Sequence, residues 1–341
     1  MLSLILCGLL AVGSVLGDGE QLDFTGVSGR LQVPNQIVWY PPPIGGIGGI
    51  GGIGGIGGIG GIGGGAASPE VDSSEHGVTA GRRATSCKCG WANRAKARIV
   101  GGKVHAPNEY PFIAGVAHST SPNRPHCGSA IVSPWHILTA AHCTEGAKSL
   151  VVTVGDYDRS GRAGPSTIIR VRKIYDHEQY NNQVIRHDIS LLLLEKPITQ
   201  NDKVGPACMP TSPINLVGKH VRFIGWGAMR YQGAMTTLPQ KVDVRVVDMN
   251  TCSRAWPYHV LANPATQICT HSRNKTPCQG DSGGPVVYLD PQTNRYTLVG
   301  LVSFGPMCKD DKPSIQTSVA AYLPWIHRII QATAPGQQTC S

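Results

Sequence analysis

The sequence contains few charged residues, few aromatic residues and no long apolar run. Asp, Glu, Lys and Arg make up only 15% of the 341 residues, and Phe, Trp and Tyr only 6%. The apolar stretch at residues 2–16 is shorter than the ~20 residues that a membrane-spanning helix needs, so we expect no such helix. No Cys-x-x-Cys or His-x-x-x-His pair is present, so the spacing predicts neither a metal site nor a cofactor.

The apolar start of the chain predicts a secretory signal. Residues 1–17 combine a short apolar run with small residues before Asp18, although a basic start is missing. Removal of this segment takes Cys7 with it and leaves ten of the 11 cysteines. An even number of cysteines in a secreted protein favours disulfide bonds, so we expect an extracellular protein.

The basic balance of the chain has two interpretations. A formal net charge of +9 and a pI of about 9.0 suit a nucleic-acid-binding protein. The basic residues are scattered, however, which favours a basic secreted surface that adheres to anionic matrix. We therefore expect neither nucleic acid nor a membrane as a partner.

Residues 18–98 form a predicted propeptide or light chain without helical or strand periodicity. Residues 44–64 are seven consecutive Ile-Gly-Gly triplets. Because glycine loses much backbone entropy on folding and isolated isoleucines bury little surface, this tract cannot build a core and is expected to be largely disordered. It is interpreted as a spacer. The alternative is an adhesive tract, with residues 39–43 as a polyproline-type ligand.

From residue 99 onward the pattern predicts an all-β domain. Short β-branched runs alternate with turns, which is typical of a barrel or a sandwich. Apolar residues at helical spacing near the C-terminus, from Tyr322 to Ile330, predict a short final helix. The predicted strands are 151–155, 168–174, 189–194, 221–225, 242–247, 286–289 and 298–303.

Ser282 lies in the string Gly-Asp-Ser-Gly-Gly-Pro at 280–285. A serine hydroxyl is a weak nucleophile that needs an adjacent base. Glycines allow a sharp turn, in which the N–H groups of Gly280 and Ser282 can stabilise a developing oxyanion. The alternative interpretation is a glycine-rich turn with an incidental serine. Two further segments of the sequence favour a catalytic serine instead. They are Leu-Thr-Ala-Ala-His-Cys at 138–143 and His-Asp-Ile-Ser followed by four leucines at 187–194.

Together these three segments resemble the chymotrypsin-like (trypsin-fold) serine endopeptidases over residues 99–332. The resemblance implies two antiparallel six-stranded β-barrels with a C-terminal α-helix, in a peptidase domain at 99–341. It also implies that His142 is the general base, that Asp188 orients it and that Ser282 attacks the substrate. His187 is expected to point away, because side chains alternate along a strand. The likeness within this family is to arthropod secreted proteases of the venom or salivary type.

The family resemblance also implies activation by cleavage. In that family the bond before Ile-Val-Gly-Gly is cut, which here is Arg98–Ile99. The new amine of Ile99 would then pair with Asp281, since a buried carboxylate needs a partner. The partners implied are protein substrates, an upstream trypsin-like activating protease and protein inhibitors.

Substrate-binding residues follow from the same resemblance. Thr276 occupies the floor of the pocket for the P1 side chain, Gly305 and Ser314 its walls, and Ser303 both supports Asp188 and lies on the strand that pairs with substrate. Since a neutral floor offers no counter-ion for Arg or Lys, we expect an apolar P1 residue. Asp310 or Asp311 is the alternative source of a basic preference.

The disulfide pattern is likewise implied by the family. Three bridges are expected: Cys127–Cys143, Cys252–Cys269 and Cys278–Cys308. Cys208 is expected to tether the light chain through Cys87 or Cys89, and the other of these two is left for Cys340. The glycosylation sequon at Asn274 is followed by a proline and is not expected to be used.

Two other functions stay open at this point. A catalytically silent homologue that acts as a binding protein usually lacks one of the triad residues, and all three are present here. An extracellular structural protein would rely on the Ile-Gly-Gly tract.

Overall fold

The computed structural model describes residues 76–93, 107–160, 167–260, 265–306, 308 and 311–341. The signal segment, the Ile-Gly-Gly tract, Arg98, Ile99 and Asp310 lie outside these residues. None of the helices in the described part has the length and apolar character that a membrane crossing requires.

Within the described residues, twelve strands form two closed antiparallel barrels, as expected. The first barrel has the strand order β1-β2-β3-β6-β5-β4, and the second has the order β10-β11-β12-β9-β8-β7. The first comprises β1 (Ile113–His118), β2 (Cys127–Ser133), β3 (His136–Thr139), β4 (Leu150–Val154), β5 (Thr167–Asp176) and β6 (Ser190–Leu194). The second comprises β7 (His220–Gly225), β8 (Gln240–Val247), β9 (Gln267–His271), β10 (Pro285–Asp290), β11 (Arg295–Phe304) and β12 (Ser314–Ser318).

Seven of the twelve strands coincide with apolar runs that the sequence shows, and five do not. The five are β1, β2, β3, β9 and β12. They are short or rich in small and polar residues, as in Cys-Gly-Ser-Ala-Ile-Val-Ser of β2. Their ladder hydrogen bonds and burial between neighbours make them strands, and neither is visible in a single sequence.

Two α-helices complete the described fold, and one of them was expected. The final helix α2 (Leu323–Thr333) buries Trp325, Ile326 and Ile330 against the core between the barrels. Helix α1 (Met249–Ala255) has only one buried residue, Cys252, so it carries no apolar periodicity. Asp248 caps it by accepting a hydrogen bond from the N–H of Asn250, which is a local signal for a helix start.

The segment before the predicted cleavage point packs on the second barrel. Cys89 is bonded to Cys208, and Cys87 to Cys340. The backbone N–H of Gly90 donates to Pro206, and the N–H of Tyr296 donates to the carbonyl of Gly90. Two disulfides therefore hold this segment independently of the bond at Arg98.

His136 joins the final helix to the first barrel. Its Nε2 lies 2.8 Å from Oγ1 of Thr333, and its Nδ1 lies 2.7 Å from Oγ of Ser133. The hydroxyl of Thr333 donates to the carbonyl of Ile329, so its oxygen accepts the proton on Nε2. Nδ1 then accepts from Ser133, which fixes the neutral form of the ring. Burial accordingly lowers the pKa of His136 to about 4.

This histidine should make folding stability sensitive to acid. Its pKa is about 4 in the folded protein against 6.5 in the unfolded chain. The unfolded state therefore binds more protons between these values, so the contribution is complete above pH 6.5 and is lost as the pH falls towards 4. We expect a loss of about 2 to 3 kcal/mol in the free energy of unfolding, measured in urea with the disulfides intact.

The control for this pH effect is His136→Gln, which lacks the titrating ring. The difference between the unfolding free energies at neutral and acidic pH should shrink in this variant by about 2 kcal/mol. An unchanged difference would show that the acid sensitivity arises elsewhere.

Candidate active site

His142 is held at the end of the first barrel by backbone and disulfide constraints. It follows β3 in a single 3₁₀ turn, Ala141–Cys143, and Cys143 is bonded to Cys127 on β2. Its Nδ1 lies 2.7 Å from Oδ2 of Asp188, and its backbone N–H donates to Oδ1 of Asp188 at 2.9 Å. Because the carboxylate accepts at both positions, the ring proton lies on Nδ1 and Nε2 is left as a base.

Asp188 is 2% exposed, and its oxygens accept hydrogen bonds from both barrels. Ser303 on β11 donates to its Oδ2 at 2.6 Å, and Thr317 on β12 donates to its backbone carbonyl at 2.7 Å. Burial by itself would raise the pKa of Asp188, but the electrostatic attraction of the His142 ring and the hydrogen bonds from His142 and Ser303 outweigh it and lower the pKa. Asp188 therefore stays ionised and can stabilise a protonated imidazole.

His187 lies away from this pair, as expected, but for a different reason. Strand β6 begins only at Ser190, so alternation along a strand does not apply to residue 187. His187 has a left-handed backbone (φ 53°), and its ring stacks on His177 with 4.9 Å between the centroids. Its Nδ1 lies 3.1 Å from the hydroxyl of Tyr322.

The loop that carries Ser282 is fixed between the two barrels. The N–H of Gly128 on β2 donates to the carbonyl of Ser282, and the N–H of Gly283 donates to Val302 on β11, both at 2.8 Å. Gly283 has φ 69°, and a Cβ there would lie 2.2 Å from Oγ1 of Thr139. Only glycine fits this position, because both the backbone conformation and the space exclude a side chain.

A pair of glycines tests this geometry. Gly283 and Gly146 have nearly equal φ values of 69° and 68°, but nothing lies within 4 Å of a Cβ at Gly146. Gly146→Ala should cost about 1 kcal/mol of unfolding free energy from backbone strain alone. Gly283→Ala adds the clash with Thr139 and should cost about 3 kcal/mol or more.

Urea unfolding of both glycine variants measures the difference. Equal losses in Gly283→Ala and Gly146→Ala would contradict the close packing of the Ser282 loop against the first barrel.

Three polar groups of the predicted site have no hydrogen-bond partner within the described residues. The backbone N–H groups of Gly280 (φ 93°) and Ser282 donate to no acceptor there. The buried Nε2 of His142 likewise has none, so the hydroxyl of Ser282 does not hydrogen-bond to it in this structure. In unliganded sites such bonds are often long and shorten when substrate binds. A base and two N–H donors are therefore available to a substrate.

Asp281 precedes Ser282; the residue is half-buried, and its carboxylate is held by backbone N–H groups. Its Oδ1 accepts from the N–H of Gly227 at 2.9 Å, and its Oδ2 accepts from the N–H of Cys278 at 3.0 Å. Burial raises the pKa of Asp281 to about 6, although both hydrogen bonds and the charge of Arg159 lower it. The predicted partner Ile99 lies outside the described residues, so its pairing with Asp281 stays a prediction.

The predicted P1 pocket is lined by neutral groups. Ser314 is buried, and its Oγ lies 2.9 Å from both Oγ1 of Thr270 and Nε2 of Gln316. Thr276 is half-buried. A Cβ at Gly305 would lie 2.7 Å from Cβ of Ser314, so the two walls lie close together in this structure.

Several contributors to the site were missed in the sequence. Gln316 and Thr317 lie on β12, which has no strand pattern, and Thr270 lies on β9, which has none either. Gln316 follows Ser314 by two residues, so strand alternation would have placed it on the same face. Arg159 gave no signal, because the ring that it contacts belongs to Trp226, far away in the sequence.

The five disulfides are Cys87–Cys340, Cys89–Cys208, Cys127–Cys143, Cys252–Cys269 and Cys278–Cys308. The sequence left the partner of Cys208 open, and the structure pairs it with Cys89. One cluster of potential metal ligands occurs among the described residues, namely Cys127, His142 and Cys143. It is not a metal site, because both cysteines are in the same disulfide.

Comparison with known proteins assigns this architecture to a family. The family model described as Trypsin matches residues 99–326. Venom serine protease 34 of Apis mellifera is 34% identical over 254 residues, which are 71% of this chain and 60% of that protein. Venom serine protease of Polistes dominula is 34% identical over 254 residues, which are 72% of this chain and 89% of that one.

A third relative is the clotting factor G beta subunit of Tachypleus tridentatus, 33% identical over 251 residues, or 68% of this chain and 79% of that protein. The chain thus spans less than two thirds of the honeybee relative and most of the other two. The family match begins at Ile99 and includes His142, Asp188 and Ser282. With its two barrels and this match, the chain belongs to the trypsin family of serine endopeptidases.

Proposed function

We propose that the chain is a secreted endopeptidase that hydrolyses peptide bonds through an acyl-enzyme on Ser282. The observation that carries this proposal is the buried Asp188, which holds Nδ1 of His142 at 2.7 Å and leaves Nε2 without a partner among the described residues. A catalytic base needs this combination of an oriented ring and a free basic nitrogen.

The mechanism follows from these groups. The Oγ of Ser282 attacks the carbonyl carbon of the scissile bond while Nε2 of His142 takes its proton. The carbonyl oxygen becomes an oxyanion that accepts hydrogen bonds from the N–H groups of Gly280 and Ser282. The imidazolium, stabilised by Asp188, then protonates the leaving amine. Water then attacks the acyl-enzyme while Nε2 of His142 takes its proton. The ester bond to Ser282 breaks, which releases the carboxylate product and regenerates the hydroxyl of Ser282.

The domain organisation is part of the proposal. Residues 1–17 are a signal, residues 18–98 a propeptide or light chain, and residues 99–341 the peptidase domain. Cleavage at Arg98–Ile99 activates the zymogen, and the disulfides Cys87–Cys340 and Cys89–Cys208 keep the light chain attached afterwards.

The proposed partners are protein substrates, protein inhibitors and an upstream protease. The neutral P1 pocket disfavours a basic residue, so the enzyme does not efficiently cut its own Arg98–Ile99 bond, and a trypsin-like activator has to do so. One relative is named as a clotting factor subunit, which supports activation within a protease cascade.

Labelling of the active serine tests the proposal. The secreted full chain is treated briefly with trypsin, which is then blocked, and the new N-terminus is checked for Ile-Val-Gly-Gly. A fluorophosphonate probe should then label the cleaved protein on Ser282, and heat-denatured protein should stay unlabelled. Absence of labelling in correctly cleaved, folded protein would identify a catalytically silent homologue instead.

A further inference from the structure

The sulfur atoms of the described residues differ in how they can react with an oxidant. All ten described cysteines are in disulfides, so none of them offers a thiol. Of the methionines described, Met209 is buried and Met249 is half-buried. Met229 is 60% exposed and Met235 is 36% exposed. Within this part of the chain, the sulfur atoms most open to an oxidant are therefore the thioethers of Met229 and Met235.

Met235 ends a short hairpin that is attached to the turn carrying Ser282. Ala228 and Met235 face each other in an isolated antiparallel bridge. The N–H of Ala228 donates to the carbonyl of Gln279 at 2.8 Å. After Met235, the N–H of Thr236 donates to the carbonyl of Trp226 at 3.0 Å. The backbone of the hairpin thus fixes Met235 beside the residue that follows Gln279.

The thioether of Met235 lies against that residue, Gly280. A Cβ built on Gly280 would lie 2.6 Å from Cε of Met235 and 3.1 Å from its Sδ. The end of the methionine therefore occupies the space that a side chain at 280 would need. The N–H of Gly280 donates to no acceptor within the described residues. Because a thioether is only a weak acceptor, Met235 packs beside this donor and leaves it available for an oxyanion.

Oxidation would change the chemistry of this contact. A sulfur lone pair of Met235 attacks one oxygen of hydrogen peroxide, the O–O bond breaks, and a proton moves to the departing oxygen, which leaves as water. The sulfur is oxidised by two electrons and the peroxide is reduced. The product is a sulfoxide, which is polar and carries an oxygen in place of a lone pair. Its oxygen is a much stronger hydrogen-bond acceptor than the sulfur that it replaces.

We propose that Met235 is an oxidation site through which peroxide lowers the activity of the enzyme. The sulfoxide oxygen accepts a hydrogen bond from the N–H of Gly280 and competes with the oxyanion of the substrate. The inference rests on the proposed function, since it assigns regulation to the same oxyanion donors. It predicts a lower kcat with little change in KM, because the competition is strongest when the oxyanion forms.

The experiment begins with secreted full chain that has been cleaved after Arg98 and carries Ile-Val-Gly-Gly at its new N-terminus. The enzyme is treated with hydrogen peroxide, and catalase removes the reagent before the assay. Peptide mass mapping then quantifies the added oxygen on each methionine. With Met235 fully converted, kcat for a peptide p-nitroanilide should fall by roughly tenfold or more, since loss of one oxyanion donor costs about 10² to 10³ in kcat.

Met235→Leu distinguishes this site from every other target of the reagent. Leucine has nearly the volume of methionine and no sulfur, so the untreated variant should retain kcat and the treated variant should lose none of it. The matched control is Met229→Leu, because Met229 is more exposed and lies on the same hairpin. This control should be inactivated like the wild type. Met307 lies outside the described residues, and Met307→Leu should likewise give no protection.

Enzymatic reduction separates sulfoxide formation from irreversible damage. Methionine sulfoxide reductases A and B together reduce both epimers of the sulfoxide. They should restore kcat of the oxidised wild type in step with the loss of the added oxygen from Met235. Unoxidised enzyme carried through the same treatment controls for reduction of the disulfides.

Three results would overturn the inference. They are an unoxidised Met235 in the treated enzyme, an unchanged kcat despite complete sulfoxide at Met235, and equal losses of kcat in the wild type and in Met235→Leu. Absence of hydrolysis by the cleaved, untreated wild type would instead overturn the proposed function. The untreated sample therefore tests the reaction itself, and the treated samples test its regulation.

Discussion

Replacing Ser282 with alanine should lower kcat of the Arg98-cleaved protein by roughly 10⁶-fold, the scale observed when a triad serine is removed. The reason is that the proposed mechanism forms the covalent acyl-enzyme on this hydroxyl, and alanine offers no nucleophile in its place. Hydrolysis of a peptide p-nitroanilide and phosphonate labelling are the measurements. Residual turnover above water should persist, because the N–H donors of Gly280 and Ser282 are backbone groups.

Ser129→Ala is the control for the loss of a buried serine hydroxyl. Ser129 on β2 is fully buried, and its Oγ has no hydrogen-bond partner within the described residues. Its replacement should leave kcat nearly unchanged.

Asp188→Asn should lower kcat by roughly 10⁴-fold with the structure intact, because it turns the ring of His142 to the wrong tautomer. Full activity in Ser282→Ala would exclude the acyl-enzyme mechanism.

Cleavage after an apolar P1 residue such as Phe or Leu should exceed cleavage after Arg by roughly 10²-fold or more in kcat/KM. An unpaired buried cation costs about 3 to 5 kcal/mol. Ser314, Thr270 and Gln316 hydrogen-bond to one another, and none of them is charged. Asp311 lies within 3.3 Å of His271 and its side chain is 67% exposed, so it belongs to the surface.

Profiling with a peptide library that varies only P1 measures this preference. Thr276→Asp should shift the ratio towards Arg, because it places an anion at the predicted floor. Arg as the preferred P1 residue of the wild type would contradict the assignment of Thr276 and indicate that another acid, such as Asp310, faces the pocket.

The local sequence was informative where chemistry demands particular residues in a fixed order. Ser282 among glycines, His142 beside a cysteine and Asp188 before a leucine run identified the family and its fold. Seven strands could also be predicted from the sequence, because each contains its own apolar run. The helix α2 could be predicted because one face of it is buried, whereas α1 could not, since it buries only Cys252.

Other features were decided by the packing of distant segments. The pairing of Cys208 with Cys89 depends on where residues 86–93 lie on the second barrel. The support of Asp188 by Thr317, and of Ser314 by Gln316, depends on β12, which shows no strand pattern. The position of Arg159 over Trp226 depends on a loop of the first barrel that reaches the second.

The sequence alone determined which side chains are proposed to carry the chemistry, because nucleophile, base and acid must be of particular types. The tertiary structure alone decided which further groups hydrogen-bond to Asp188 and Asp281. These bonds depend on distance through space, and the hydroxyl of Thr317 and the N–H of Gly227 reach Asp188 and Asp281 only after both barrels have closed.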